Sequence, residues 1–334
     1  MNAIVLMALS ALAFSICPLF YAITMQYTDP LSQGLYVQIA ITLCAGILLS
    51  FSLKSPLAFI GSLRELFSMS FDVWLVIILS GVAAYIGTLF FLLSLNLMSP
   101  AGAAIIMECW PILAIFIAPV LIEKNWKPFE TLDIVLIMFL MLGLFIISAS
   151  DIGLSFEELL EDPLFLFTGK SYEEMYGIIC AVLSAFCYAW AGVARPYFVE
   201  KLPNNYRQKY FGGTKNWKES LFAFWVTALT AIPLATLTVF IFGFDLSPLG
   251  NIIMPTIGLG LALTAMGCLY ALSISLADTP NVNFLWYLSP LMAAIWLAIF
   301  GFSQITPMLV LGGFFIISAN IILILKSRKP NVAP

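Results

Sequence analysis

The chain has 334 residues, 62% of them hydrophobic and 10% charged, with a mean hydropathy of +1.04 and a formal net charge of −4. So much apolar surface cannot be buried in a soluble core of ordinary proportions, which excludes a water-soluble enzyme or nucleic-acid-binding domain and indicates an all-α integral membrane protein. Histidine is absent, and the 6 cysteines lie in apolar runs without a C-x-x-C pair, so neither a disulfide framework nor a metal site is indicated.

In chain order, the first apolar run is 3–24. It lacks a positive leading region and stays apolar to Tyr21, so it reads as a membrane span and not as a cleaved signal peptide. Further spans are expected at 35–51, 73–94, 101–122, 134–149, 175–199, 221–242, 252–276, 282–302 and 307–325, ten in all. With the N-terminus in the cytoplasm, every basic residue of the 14 except Lys170 falls in an inner segment. This asymmetry predicts a multi-pass protein of the cell (inner) membrane with both termini cytoplasmic.

The fourth span, SPAGAAIIMECWPILAIFIAPVLI, is the focus of the chain. Glu108 lies eight residues beyond Pro100, about 12 Å deep at ~1.5 Å per residue, near the bilayer midplane. An intramembrane carboxylate is costly and faces a cavity or a partner. Ionised, it can pair with an amine; protonated and deprotonated in turn, it can couple transport to protons. The alternative is a structural carboxyl bonded to a neighbouring helix. The fifth span then leads to an acidic loop, 151–174, on the outer side.

The second half repeats features of the first. Gly87, Leu89 and Pro100 are matched by Gly267, Leu269 and Pro280 at a separation of 180, while Pro111 and Pro128 are matched by Pro290 and Pro307 at 179. The first and sixth spans share Leu-Ser-Ala, at 9–11 and 183–185. Five spans per half is an odd number, so the two halves enter the membrane from opposite sides. The expected organisation is a 5+5 inverted-topology repeat: 1–150, the loop 151–174, and 175–334.

LNLMSPAGAAIIMECWPILAIF in the first half and SLADTPNVNFLWYLSPLMAAIW in the second resemble the paired EamA domains of the drug/metabolite transporter superfamily. Trp110-Pro111 and Tyr287-Leu288-Ser289-Pro290 are most similar to the branch that exports aromatic amino acids. Glu123 matches a glutamate that follows the fourth helix in the superfamily, whereas Phe302-Ser303-Gln304 stands where a second would follow the ninth. The resemblance implies a central substrate cavity between the halves, lined by helices one, three, four, six, eight and nine.

Helical spacing puts Ala101, Ala104, Glu108, Pro111 and Ile115 on one face of the fourth helix, and Pro280, Asn283, Tyr287, Pro290 and Ala294 on one face of the ninth. Alignment by the prolines sets Tyr287 opposite Glu108. Tyr21, Tyr85, Tyr188 and Tyr270 add an aromatic lining suited to a solute with an apolar body and a polar head. Trp110 is a further candidate, although it projects from a different face, where lipid contact is the alternative. Arg195 shares a face with Ser184, Tyr188 and Gly192 and reads as a snorkelling anchor. Pro111 and Pro290, the prolines that repeat, are candidates for gating.

The function expected is export of a small metabolite, an amino acid or related amine, by a secondary carrier with alternating access. Its partners would be the solute, protons and membrane lipids, with no cofactor. One alternative is transport of an organic cation such as a quaternary amine, held by aromatic rings. Another is a non-transporting membrane enzyme or assembly factor. No nucleophile–base constellation supports an enzyme, and Gly169-Lys170-Ser171 lacks the first glycine of a phosphate loop.

Overall fold

The structure is a computed structural model that describes residues 2–24, 26–53, 66, 69–97, 103, 106–108, 110–122, 130–151, 161, 172–212, 216–243, 249–278, 280–301 and 306–328. Among these it is all-helical, without strands. Ala101, Ala104, Glu123, Phe302-Ser303-Gln304 and most of the acidic loop lie outside the described residues.

The first span is two helices, α1 (Ala3–Ser15) and α2 (Cys17–Thr24), separated at Ile16. Pro18, the second residue of α2, has no N–H to continue the α1 ladder and fits a helix start. Asp29 caps α3 (Pro30–Ser52), its carboxylate accepting from the Leu31 and Ser32 N–H groups at 2.9 and 3.0 Å. There follow α4 (Phe71–Leu97), α5 (Trp110–Leu121), which continues the helical turn at 106–108, and α6 (Thr131–Asp151).

The second half begins with α7 (Tyr172–Lys201). The connection after it is not a plain loop: α8 (Asn204–Phe211) packs Tyr206 and Phe211 against Phe222 and ends at Gly212, which takes the left-handed conformation that favours glycine. Asn216 then caps α9 (Trp217–Phe242), followed by α10 (Leu249–Leu276). The ninth span divides into a 3-10 segment (Pro280–Tyr287) and α11 (Leu288–Ile299), and α12 (Pro307–Arg328) closes the chain.

Seven stretches are long and apolar enough to cross a membrane, the pattern of an integral multi-pass protein. They correspond to the first, second, third, sixth, seventh, eighth and ninth expected spans. The other three appear as shorter apolar helices, Ile106–Leu121, Thr131–Gly143 and Pro307–Ala319. Phe51, Val120 and Phe240 are each more than 85% exposed, which suits a hydrocarbon surround.

Long contacts hold the bundle together. α4 lies along α7, α1 along α10, α3 along α9, and α6 along α12; α5 meets α7 and the 3-10 segment. Small side chains permit the closest approaches. A Cβ on Gly81 of α4 would fall 2.3 Å from the Thr227 carbonyl oxygen of α9, and one on Gly260 of α10 would fall 2.8 Å from the Ala40 backbone of α3. Hydroxyls tie the same helices: Ser184 donates to the Gly87 carbonyl and Ser10 to the Met266 carbonyl, both at 2.8 Å.

Candidate functional site

Glu108 sits on the helical turn ahead of α5 and is buried at 5% exposure. Its Oε2 accepts a hydrogen bond from the Trp286 indole Nε1–H at 2.7 Å, joining the two halves of the chain. The proline alignment had set Tyr287 opposite this acid. The difference follows from the backbone: a 3-10 segment repeats every three residues, so Asn283 and Trp286 share a face where α-helical spacing would pair Asn283 with Tyr287. Tyr270 donates its hydroxyl to Asn283 Oδ1 at 2.6 Å, and its ring lies 5.9 Å from that of Trp286. Tyr287 is fully buried in the main core and is not among the residues lining the cavity.

Around this bond the rings form a box. Trp110 meets Trp286 edge-on at 4.8 Å and Tyr270 at 5.1 Å, and Phe14 lies 5.0 Å from Trp286. Such tilted and edge-to-face pairs are favourable beyond their buried area. Trp110, for which lipid contact was the alternative, therefore turns inward. Gly192 makes room for it, since a Cβ there would stand 2.9 Å from the Trp110 ring.

The box encloses a cavity of about 30 Å³, room for roughly one or two waters. Phe14, Met107 and Trp110 wall it from the first half; Tyr188, Arg195, Met266, Tyr270 and Trp286 wall it from the second. Tyr188 pairs its hydroxyl with Thr88 of α4 at 2.9 Å. Tyr21 is buried, within electrostatic reach of Tyr188, while Cys17 is within reach of Glu108.

Two expectations need correction. Tyr85 does not join the cavity: it bonds to Thr238 and packs with Leu35, Ala231, Ala235 and Val239 in a separate cluster. Arg195 is not a snorkelling anchor. Its Nε donates sideways to Thr227 Oγ1 of α9 at 3.2 Å, and its guanidinium carbon lies 4.6 Å from the Phe224 ring centroid, at the edge of the cavity. The shared face of Tyr188, Gly192 and Arg195 was readable from their spacing; that α9 supplied a ring and a hydroxyl beside it was not.

Pro111 and Pro290 occupy the first turns of α5 and α11. Helix starts tolerate a missing N–H, so Pro290 breaks no ladder in α11, whereas Pro111 follows the helical turn at 106–108 and brings no N–H to it. Pro290 stands three residues past Tyr287, where 3-10 winding gives way to α.

No protein-family model matches the chain, and no curated protein matches it. A solved structure described only as "Crystal structure of protein" is similar over 98% of this chain and 97% of its own, with a TM-score of 0.72 and 16% identity. It is one of 24 chains of solved structures that match. At that identity the likeness is one of fold.

Proposed function

We propose that the chain is a secondary-active carrier that exports a small metabolite, an amino acid or related amine, by alternating access, and that it is built as ten spans in two oppositely oriented five-helix units. The observation that carries the reading is the buried Glu108–Trp286 hydrogen bond between the halves, beside a ring-lined cavity to which both halves contribute. A midplane acid beside a cavity suits a site for substrate or protons.

The repeat draws support from equivalent contacts. Ser10 and Ser184 occupy the shared Leu-Ser-Ala, and the carbonyls they bond, at Met266 and Gly87, stand 179 residues apart. Gly81 and Gly260, the close-approach glycines of the third and eighth spans, are also 179 apart, within one residue of the 180 that relates Gly87, Leu89 and Pro100 to Gly267, Leu269 and Pro280. A coincidence of bonds with that spacing is hard to obtain from composition alone. Export, as the direction, rests on the resemblance to the EamA domains of the drug/metabolite transporters.

The test is flux from reconstituted vesicles preloaded with single amino acids, with and without a pH gradient. Glu108→Gln keeps an oxygen for the Trp286 N–H but removes the ionisable group, so the variant should fold and lose proton-linked or amine-dependent flux by at least tenfold. Unchanged flux would remove Glu108 from the mechanism.

A further inference from the structure

Arg195 is a cation inside the sixth span, six residues or about 9 Å from the end of α7 at Lys201. A charge at such a depth needs a partner. Among the described residues, Thr227 Oγ1 is the hydrogen-bond acceptor that its guanidinium reaches, through Nε alone, and the Phe224 ring covers one side. A guanidinium offers five N–H donors in a planar fork. The remaining four belong to the two terminal nitrogens, which make no hydrogen bond among the described residues, and Arg195 is one of the residues lining the cavity.

What fits a fork with two free parallel donors is a planar anion, because a carboxylate accepts both bonds side by side. Glu108 does not fill this role. Its Oε2 accepts from Trp286, and no ion pair joins the carboxylate to Arg195 among the described residues. Next to the fork stand the rings of Tyr188 and Tyr270, with Trp110 and Trp286 beyond.

We infer that Arg195 is the anion anchor of the cavity: the present space holds roughly one or two waters and the three rings already touch, so the solute is admitted when the halves part, with its carboxylate on the Arg195 guanidinium and its apolar or aromatic body against the ring cluster of Trp110, Tyr270 and Trp286. The inference rests on the carrier reading above and narrows it, separating amino acids from amines. An amine or quaternary ammonium lacking an acid group would meet a like charge here, while an acid lacking the amine would keep its main attachment. The organic-cation alternative is thereby disfavoured by a specific side chain, despite a ring box that resembles a cation–π cage.

Three probes that share one ring decide the matter: phenylalanine, 3-phenylpropionate and phenethylamine. Each is titrated against the full chain in lipid nanodiscs, with tryptophan fluorescence and thermal shift as readouts. In the wild-type protein the two carboxylates should bind at least tenfold more tightly than phenethylamine. Arg195→Gln should weaken both carboxylates by about ten- to hundredfold and leave phenethylamine unimpaired; Arg195→Lys should restore part of the loss, since a point charge replaces the fork. Phenethylamine binding as tightly as phenylalanine, or neither carboxylate binding, overturns the anchor. So does Arg195→Gln with undiminished carboxylate affinity. If Arg195→Gln fails to fold, the comparison of probes on the wild-type protein still decides. Vesicle flux separates the two levels: carboxylates that bind without being moved refute transport and leave the anchor standing, whereas flux confined to phenethylamine refutes the anchor and keeps transport.

Discussion

Replacing Trp286 with phenylalanine keeps an aromatic ring in the box and removes the N–H that Glu108 accepts. The acid then lies buried without its indole donor, and hydrogen bonds to charged groups are worth about 1.5–3 kcal/mol. Trp286→Phe should lower stability by that order. In a Glu108→Leu background, which removes the acceptor, the same change should cost less, giving a coupling of about 1 kcal/mol or more in a double-mutant cycle read by thermal denaturation in detergent. Additivity within about 0.5 kcal/mol would mean that the bond contributes nothing. The pair also shows how far the sequence could be read. The depth and cost of Glu108 followed from counting residues, but its partner depended on local winding. Nothing in PNVNFLWY announces 3-10 turns, so a periodicity of 3.6 selected Tyr287 and the periodicity of 3.0 selected its neighbour.

At the scale of helices, the contacts most sensitive to substitution are those in which glycine admits a neighbouring backbone. A methyl group on Gly81 would lie 2.1 Å from Thr230 Oγ1 and 2.3 Å from the Thr227 carbonyl, and one on Gly260 would meet the Ala40 backbone at 2.8 Å. Backbone cannot rotate out of the way, so α4 must part from α9, or α10 from α3. Gly81→Ala and Gly260→Ala should each destabilise by about 1–3 kcal/mol, the usual penalty for overpacking, whereas Gly250→Ala, with nothing within 4 Å, should be neutral. Equal melting temperatures for all three would contradict these approaches. Small-residue helix seams are common in membranes, but sequence alone did not say which of 21 glycines made them. The connection 200–218 hides its structure for a related reason. Its polar, basic composition looked like a loop, while its rings at 206 and 211 close a short helix onto Phe222.

For the whole molecule the decisive quantity is a parity. Seven stretches satisfy a strict length test, and three shorter apolar helices would bring the spans to ten. Seven crossings put the termini on opposite sides of the membrane; ten put them on the same side. On the proposed repeat the serine–carbonyl bonds and close-approach glycines would pair the third span with the eighth and the first with the sixth, and the fourth and fifth spans would then have to cross for the halves to match. The distribution of lysine and arginine points the same way, leaving Lys170 outside. Reporter fusions active on one side of the membrane only should therefore place both the N-terminus and the C-terminus in the cytoplasm, and a tag inserted at Glu161 should be reached from outside. Termini on opposite sides would make the number of crossings odd. The two halves could not then be inverted copies, and a cavity between them would have no symmetry with which to open to each side in turn.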